Sequence, residues 1–167
     1  MAELKQRKRL SLDTNLVFDL AREQDFAHEF RETFLQKGFG LMLPPTAAFE
    51  LHVICFRGET EEEREWARVA LVNLRRWGIQ PFDLDSTSEA IAEQFARRLL
   101  HLGLIPPDEL NDGLILAQSS LGRILLLATS DKHLLDVDEN ALLLLFTEAD
   151  LIPVRALHPK RLLRALR

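Results

Sequence analysis

Four carboxylates have the types and placement to do chemistry: Asp13, Glu50, Asp112 and Asp131. Asp13 directly follows the strand-like Leu10–Leu12, and Asp131 stands just after the apolar run Ile124–Ala128. Glu50 and Asp112 lie near helix starts, in segments opened by Thr46 and by Pro106-Pro107. In a parallel sheet the carboxyl ends of strands and the starts of the helices that follow them share one edge, so the four acids converge there. Carboxylates gathered in a partly desolvated cleft repel one another, and unaided at least one takes up a proton. A hard divalent cation removes that conflict. Oxygen-only ligands favour Mg²⁺ or Mn²⁺ over zinc. An ion held this way polarises a phosphoryl oxygen and activates water, so the chemistry indicated is metal-assisted phosphodiester hydrolysis. Taken singly, each acid also fits a helix cap or a solvated surface position, and Asp131 at a strand-to-helix junction fits a cap well.

The elements that must position these acids alternate. A short strand ends at Asp13, and Thr14 or Asn15 caps the helix after it. Phe18, Leu20, Phe26, Phe30, Phe34 and Leu35 predict two helices with a break near Gln24-Asp25, ended by Gly38-Phe-Gly40. Leu41–Leu43 is a buried strand, stopped by Pro44-Pro45, and a helix runs from Thr46 to about Phe56. Thr60-Glu-Glu-Glu63 resembles a capping box and opens a helix to about Trp77. Ile79–Phe82 is a strand that Pro81 assigns to an edge. Ser86 or Thr87 caps a helix to about His101, and Pro106–Asp108 starts one that runs to Ser120. Ile124–Ala128 reads as a strand buried on both faces. Ala141–Phe146 suits strand or helix, Ile152–Val154 is a last strand, and His158-Pro159 opens a closing helix. The alternation predicts a three-layer α/β/α domain over residues 1–167, with a mostly parallel sheet of about five strands.

Composition narrows the classes. The 167 residues are 47% hydrophobic and 28% charged, a globular profile. No apolar run approaches the roughly 18 residues needed to span a bilayer. The first residues carry no apolar core of a secretory signal, so the cytoplasm is the expected compartment. One cysteine, Cys55, excludes an internal disulfide and a cysteine-based zinc site. The formal charge of −5 is unevenly spread. Residues 1–9 carry net +3, residues 155–167 carry net +5, and the 145 between them carry net −13. An acidic middle is a poor match to a protein that coats DNA, and it suits a cation-recruiting site. The sequence has no glycine-rich phosphate loop, no G-x-S-x-G and no H-E-x-x-H, which disfavours P-loop, α/β-hydrolase and zinc-protease mechanisms.

Arg9–Ala21, with Asp13-Thr14-Asn15 at its centre, resembles the opening of a PIN domain. Pro45–Leu51, carrying Glu50, is similar to that family's second motif, and Asn111–Ala117, opening on Asn-Asp112, to its third. Leu127–Leu135, with Thr129-Ser-Asp131, is similar to its fourth. All four occur in family order over nearly the whole chain. The later part, Asp131–Asp136 and Val154–Pro159 with the Leu-rich end, resembles toxin components of VapBC-type toxin–antitoxin pairs. It departs from them by the extra apolar segment Ala141–Phe146.

The resemblance implies a Mg²⁺- or Mn²⁺-dependent endoribonuclease, with in-line attack of metal-activated water on an RNA phosphodiester. Asp13, Asp112 and Asp131 would be the main metal ligands, with Glu50 positioning water or completing the set. Asn15 would orient Asp13 by hydrogen bonding, and Thr129 or Ser130 would hold water or a phosphate oxygen. Lys132, Arg9, Lys160 and Arg161 are candidate phosphate contacts, or simply a solvated face, as Arg164 and Arg167 also are. A small antitoxin protein and a homodimer are the partners implied. Asp108 and Glu109 read as partners of the helix dipole. Asp136, His52 and His133 read as surface or structural residues, and Cys55 as a small buried hydrophobe. The phenylalanines read as core or a subunit interface. Two other classes stay open: a catalytically silent PIN-like scaffold, and a Mg²⁺-dependent phosphatase, for which Asp13-Thr-Asn15 lacks the second acid of a D-x-D motif.

Overall fold

The first strand in the chain is the middle strand of the sheet. In the computed structural model, which describes residues 8–166, β1 (Arg9–Leu12) pairs in parallel with β2 (Gly40–Leu43) and with β4 (Leu126–Ala128). β3 (Ile79–Pro81) and β5 (Arg155–Leu157) are the edges, so five parallel strands run in the order β3-β2-β1-β4-β5. Leu10, Leu12, Leu41 and Leu43 are buried, and so are Ser11 and Met42 on the alternate face. Burial of successive residues is what a sheet covered on both faces requires. Residues 1–7 and Arg167, which carry part of the two basic ends, lie outside the described residues.

Helices α1 (Thr14–Ala21) and α2 (Asp25–Gln36) lead from β1 to β2, and α3 (Pro45–Arg57) and α4 (Glu61–Asn73) from β2 to β3. The chain then reverses its direction across the sheet. α5 (Ser86–His101) and α6 (Leu110–Leu121) lead back past β1 to β4, and α7 (Lys132–Leu135) and α8 (Glu139–Glu148) lead to β5. Parallel crossovers are right-handed, so the first two connections cover one face and the next two the other. The final helix, α9 (Pro159–Ala165), packs against α2. Each face has its own aromatic contact: Phe30 with Phe34 on α2 at 4.5 Å between ring centroids, and Phe95 of α5 stacked on Phe146 of α8 at 4.6 Å. The reversal leaves a crevice at the carboxyl ends of β1 and β4, the switch point where open α/β sheets place their sites.

Three contacts set α6 against that crevice. Ser119 Oγ donates to Ser11 Oγ of β1 at 2.9 Å. The Gln118 amide oxygen accepts the Thr46 N–H of α3 at 3.0 Å, and its nitrogen donates to Thr46 Oγ1 at 2.8 Å. Gly113 lets α6 lie close on α5: a Cβ there would stand 3.0 Å from the Ala96 Cβ and 3.2 Å from Ile105 Cδ1.

Where the elements differ from the sequence reading, caps and prolines account for most of it. Asp13 and Asp85, rather than the hydroxyl residues after them, cap α1 and α5, because a carboxylate is the stronger acceptor at a positive helix end. Pro106–Glu109 forms a turn, with Glu109 N–H donating to Pro106 O at 3.0 Å, so α6 begins at Leu110 and not at Pro106. Pro153 lacks a ladder donor, and the last strand forms after it, at Arg155–Leu157. The ambiguous Ala141–Phe146 is helical, capped by Asp138 and burying Leu142, Leu145 and Phe146. α4 stops at Asn73, and the chain turns through Gly78, at φ +74°. Cys55 is half-buried, not a core residue. Among the described residues no helix is long and apolar enough to cross a membrane.

Gly113→Val places methyl groups where Ala96 already sits. Overpacking of this kind costs about 1–3 kcal/mol. Chemical denaturation is expected to show that loss.

Candidate metal centre

β1 and β4 are tied together at their carboxyl ends by one hydroxyl. Thr129, wholly buried, donates from Oγ1 to Asp13 Oδ2 at 2.6 Å and accepts the Asp131 N–H at 3.0 Å. Asp13 Oδ1 accepts the Thr14 N–H at 2.7 Å, so both its oxygens are engaged. Asp131 caps α7 through Oδ1, which accepts the His133 N–H at 2.9 Å and fixes the carboxylate's orientation.

Asp112 reaches the same place from the third residue of α6. It is 7% exposed. Asp112 Oδ2, fully buried, meets no hydrogen-bond donor among the described residues. Burial first, then the adjacent Asp131 carboxylate by hydrogen bonding and by charge, the charge of Asp13 and hydrogen bonding with Glu109, push the Asp112 carboxyl up to about 9. Burial also pushes Glu50 up, to about 7, helped by the charge of Asp13 and opposed by the nearby Thr14 hydroxyl. Asp13 is raised by burial as well, against the hydrogen bonds from Thr129 and Thr14. Every shift has the sign expected of negative charges crowded out of water.

The tightest grouping is not the expected one. One oxygen from each of Glu109, Asp112 and Asp131 lies within 4.8 Å of the others. The sequence alone predicts Glu109 to be a dipole partner on a helix starting at Pro106. It is instead the residue before α6, and its side chain makes no cap hydrogen bond. The only sequence signal for this was its spacing of three from Asp112, beside a proline pair that ends in a turn.

Glu50 opens onto a cleft of about 440 Å³, also lined by Asn15, Phe18, Arg22, Trp66 and Ser130. The Arg22 guanidinium lies over the Trp66 ring, 5.0 Å from its centroid. Asn15 is exposed on the cleft wall, and the orienting of Asp13 expected of it is done by Thr129 and the Thr14 backbone. Ser130 is exposed and lines both this cleft and a smaller recess beside Lys160. The Lys160 ammonium sits 5.6 Å over the Phe26 ring. Lys132 and Arg161 are exposed on α7 and α9. Arg9 stands at the opposite end of β1 from Asp13, donating to Arg123 O at 3.3 Å, and does not reach the pocket.

The family profile described as PIN domain matches residues 10–140. Among solved structures, the chain is similar to VapBC2 from Rickettsia felis bound to a DNA fragment from their promoter. The identity is 16% and the TM-score 0.60, over 90% of this chain and 98% of that one. It is similar to FitAcB from Neisseria gonorrhoeae at 19% identity and a TM-score of 0.52, over 90% of this chain and 97% of that one. FitAB bound to an IR36 DNA fragment matches at 18% identity and a TM-score of 0.50, over 90% and 94%. At these identities the likeness is one of fold. No curated protein matches the chain.

The raised carboxyls predict a pH dependence. An unfolded carboxyl titrates near 4, whereas Asp112 in the fold titrates near 9. Between those values the native state holds a proton that the unfolded state has lost, so stability falls as pH rises. Without divalent cations, the melting temperature is expected to be higher at pH 5 than at pH 8. Asp112→Asn is expected to flatten that slope and raise the value at pH 8, as read by thermal melts in EDTA.

Proposed function

The chain belongs to the PIN-domain family, and on that premise we propose that it is a Mg²⁺- or Mn²⁺-dependent endoribonuclease. PIN domains are generally nucleases that use divalent metals. The observation that carries the proposal is the orphaned, buried oxygen of Asp112 among the other carboxylates. A buried acceptor without a partner is costly, and a divalent cation would satisfy it and offset the repulsion at once. The donor set is all oxygen, which fits Mg²⁺ or Mn²⁺.

In this reading Asp112 and Asp131 hold the ion, with Asp13 completing or positioning the set. Such an ion, when bound, polarises a phosphoryl oxygen and eases ionisation of water. The protein's own part is positional. Thr129 keeps Asp13 and the start of α7 in register. Glu50, between pocket and cleft, orients water by accepting its hydrogen bond. Phe18 and Trp66 offer apolar surface to a base, and Arg22, Lys132 and Lys160 offer charge to phosphates.

The likeness in fold to VapBC2 and FitAB supports placing the chain in a toxin–antitoxin pair, with a small antitoxin as partner. A homodimer is supported by Phe49, Val53 and Phe56, which are exposed at i, i+4 and i+7 along α3.

Fluorescent single-stranded RNA incubated with the protein is expected to be cut in Mg²⁺ or Mn²⁺ and left intact in EDTA. Asp112→Asn is expected to lower the rate by about 10²-fold or more, since a metal ion supplies several kcal/mol of transition-state stabilisation. Unchanged, metal-dependent cleavage by that variant would show that the pocket is not the nuclease site.

A further inference from the structure

Glu109 lies outside the four acids that the family resemblance picks out, yet it shares their space. One of its oxygens lies within 4.8 Å of oxygens from Asp112 and Asp131. Oxygens that bind one Mg²⁺ at about 2.1 Å in octahedral geometry stand about 3–4 Å apart. The three carboxylates therefore need only a small inward movement to share an ion.

Two further observations point the same way. Asp112, more than nine-tenths buried, presents to this group a carboxylate with an unpartnered oxygen. Glu109 also forgoes the local hydrogen bond that its position offers. It precedes α6, but accepts no N–H from the first turn. Asp13, Asp85, Asp131 and Asp138, at equivalent positions, each accept one. Apart from the acids, the polar side chain described beside it is His133, with Nε2 at 3.9 Å. Asp13, by contrast, already has one hydrogen bond on each oxygen.

Resting on the metal-centre reading, we propose that Glu109 is a direct ligand of the divalent cation, together with Asp112 and Asp131. The turn that precedes α6 and the first turn of α6 then supply one ligand each, three residues apart.

The test is a Mn²⁺ titration followed by the electron paramagnetic resonance of free Mn²⁺, paired with thermal melts in EDTA and in saturating Mn²⁺. It compares wild type, Glu109→Gln and Asp108→Asn. Asp108 is exposed and adjacent, so its variant removes the same charge without touching the cluster. Glu109→Gln is expected to weaken Mn²⁺ binding by about tenfold or more, the scale of losing a group that shapes a metal site. In EDTA it is expected to melt at or above the wild-type temperature, because a repelling charge is gone. Its stabilisation by Mn²⁺ is expected to shrink. Asp108→Asn is expected to stay within about threefold of wild type, since an exposed charge is screened.

Equal Mn²⁺ affinity in Glu109→Gln and wild type would overturn the assignment and leave the metal centre standing. Equal weakening in Asp108→Asn would overturn it too, by tracing the effect to distant charge. A lowered melting temperature of Glu109→Gln in EDTA would assign the residue a structural role instead. Absence of Mn²⁺ binding in wild type would remove the metal centre itself, and the proposed nuclease with it.

Discussion

Five carboxylates gathered at one end of a parallel sheet repel one another, and much of the structure serves to hold them there. Asp13, Glu50, Glu109, Asp112 and Asp131 come from five separate positions along the chain, and each pKa shift resolved among them is upward. Nothing in the acids' own interactions would assemble them. The work falls to neutral groups: the Thr129 hydroxyl between β1 and β4, the Ser119–Ser11 contact, and the paired hydrogen bonds of Gln118 with Thr46. All five of these polar side chains are buried and satisfied. That is the condition under which buried polar groups specify an arrangement rather than weaken it.

The topology supplies the rest. Because the chain leaves β1 toward β2 and returns past it to β4, the carboxyl ends of β1 and β4 have no helix connection running directly between them. That leaves room for the starts of α3 and α6 to bring in Glu50 and Asp112. Close packing at Gly113 keeps the start of α6 near α5 and fixes how far Asp112 can retreat from its neighbours. A less tightly packed helix would relieve the repulsion by moving away. The strain of the pocket is thus held by apolar packing elsewhere, a pattern often found at functional sites.

Long-range charge adds a second layer. The middle of the chain carries net −13, which attracts divalent cations and opposes phosphates. The cations described near the cleft are few and specifically placed: Arg22 over Trp66, and Lys160 beside Ser130. On the nuclease reading, metal and RNA binding are therefore linked: partial neutralisation of the acids lowers the barrier to phosphate approach. Arg9 and Arg123, at the far end of the sheet, are too distant to contribute through contact.

How far the sequence revealed the site depends on what carries each residue. Asp13 and Asp131 end apolar runs, and Glu50 follows a proline-opened helix start, so periodicity alone placed them correctly on their elements. The parallel sheet followed from alternation, and the helix break near Gln24-Asp25 from the spacing of the phenylalanines. Glu109 was hidden because its role depends on a backbone detail. Had the helix begun at Pro106, residue 109 would lie within its first turn. A four-residue turn instead leaves Glu109 before the helix, close to Asp112 and Asp131. Thr129 was visible as a residue but not as the link between two acids, since hydroxyl direction follows from strand register that no pattern encodes. Gln118 gave no signal at all: a single amide on an apolar helix face becomes legible only when its partner, 72 residues away, is known. Hydrophobic period locates elements, whereas the polar groups that aim a site are set by contacts between them.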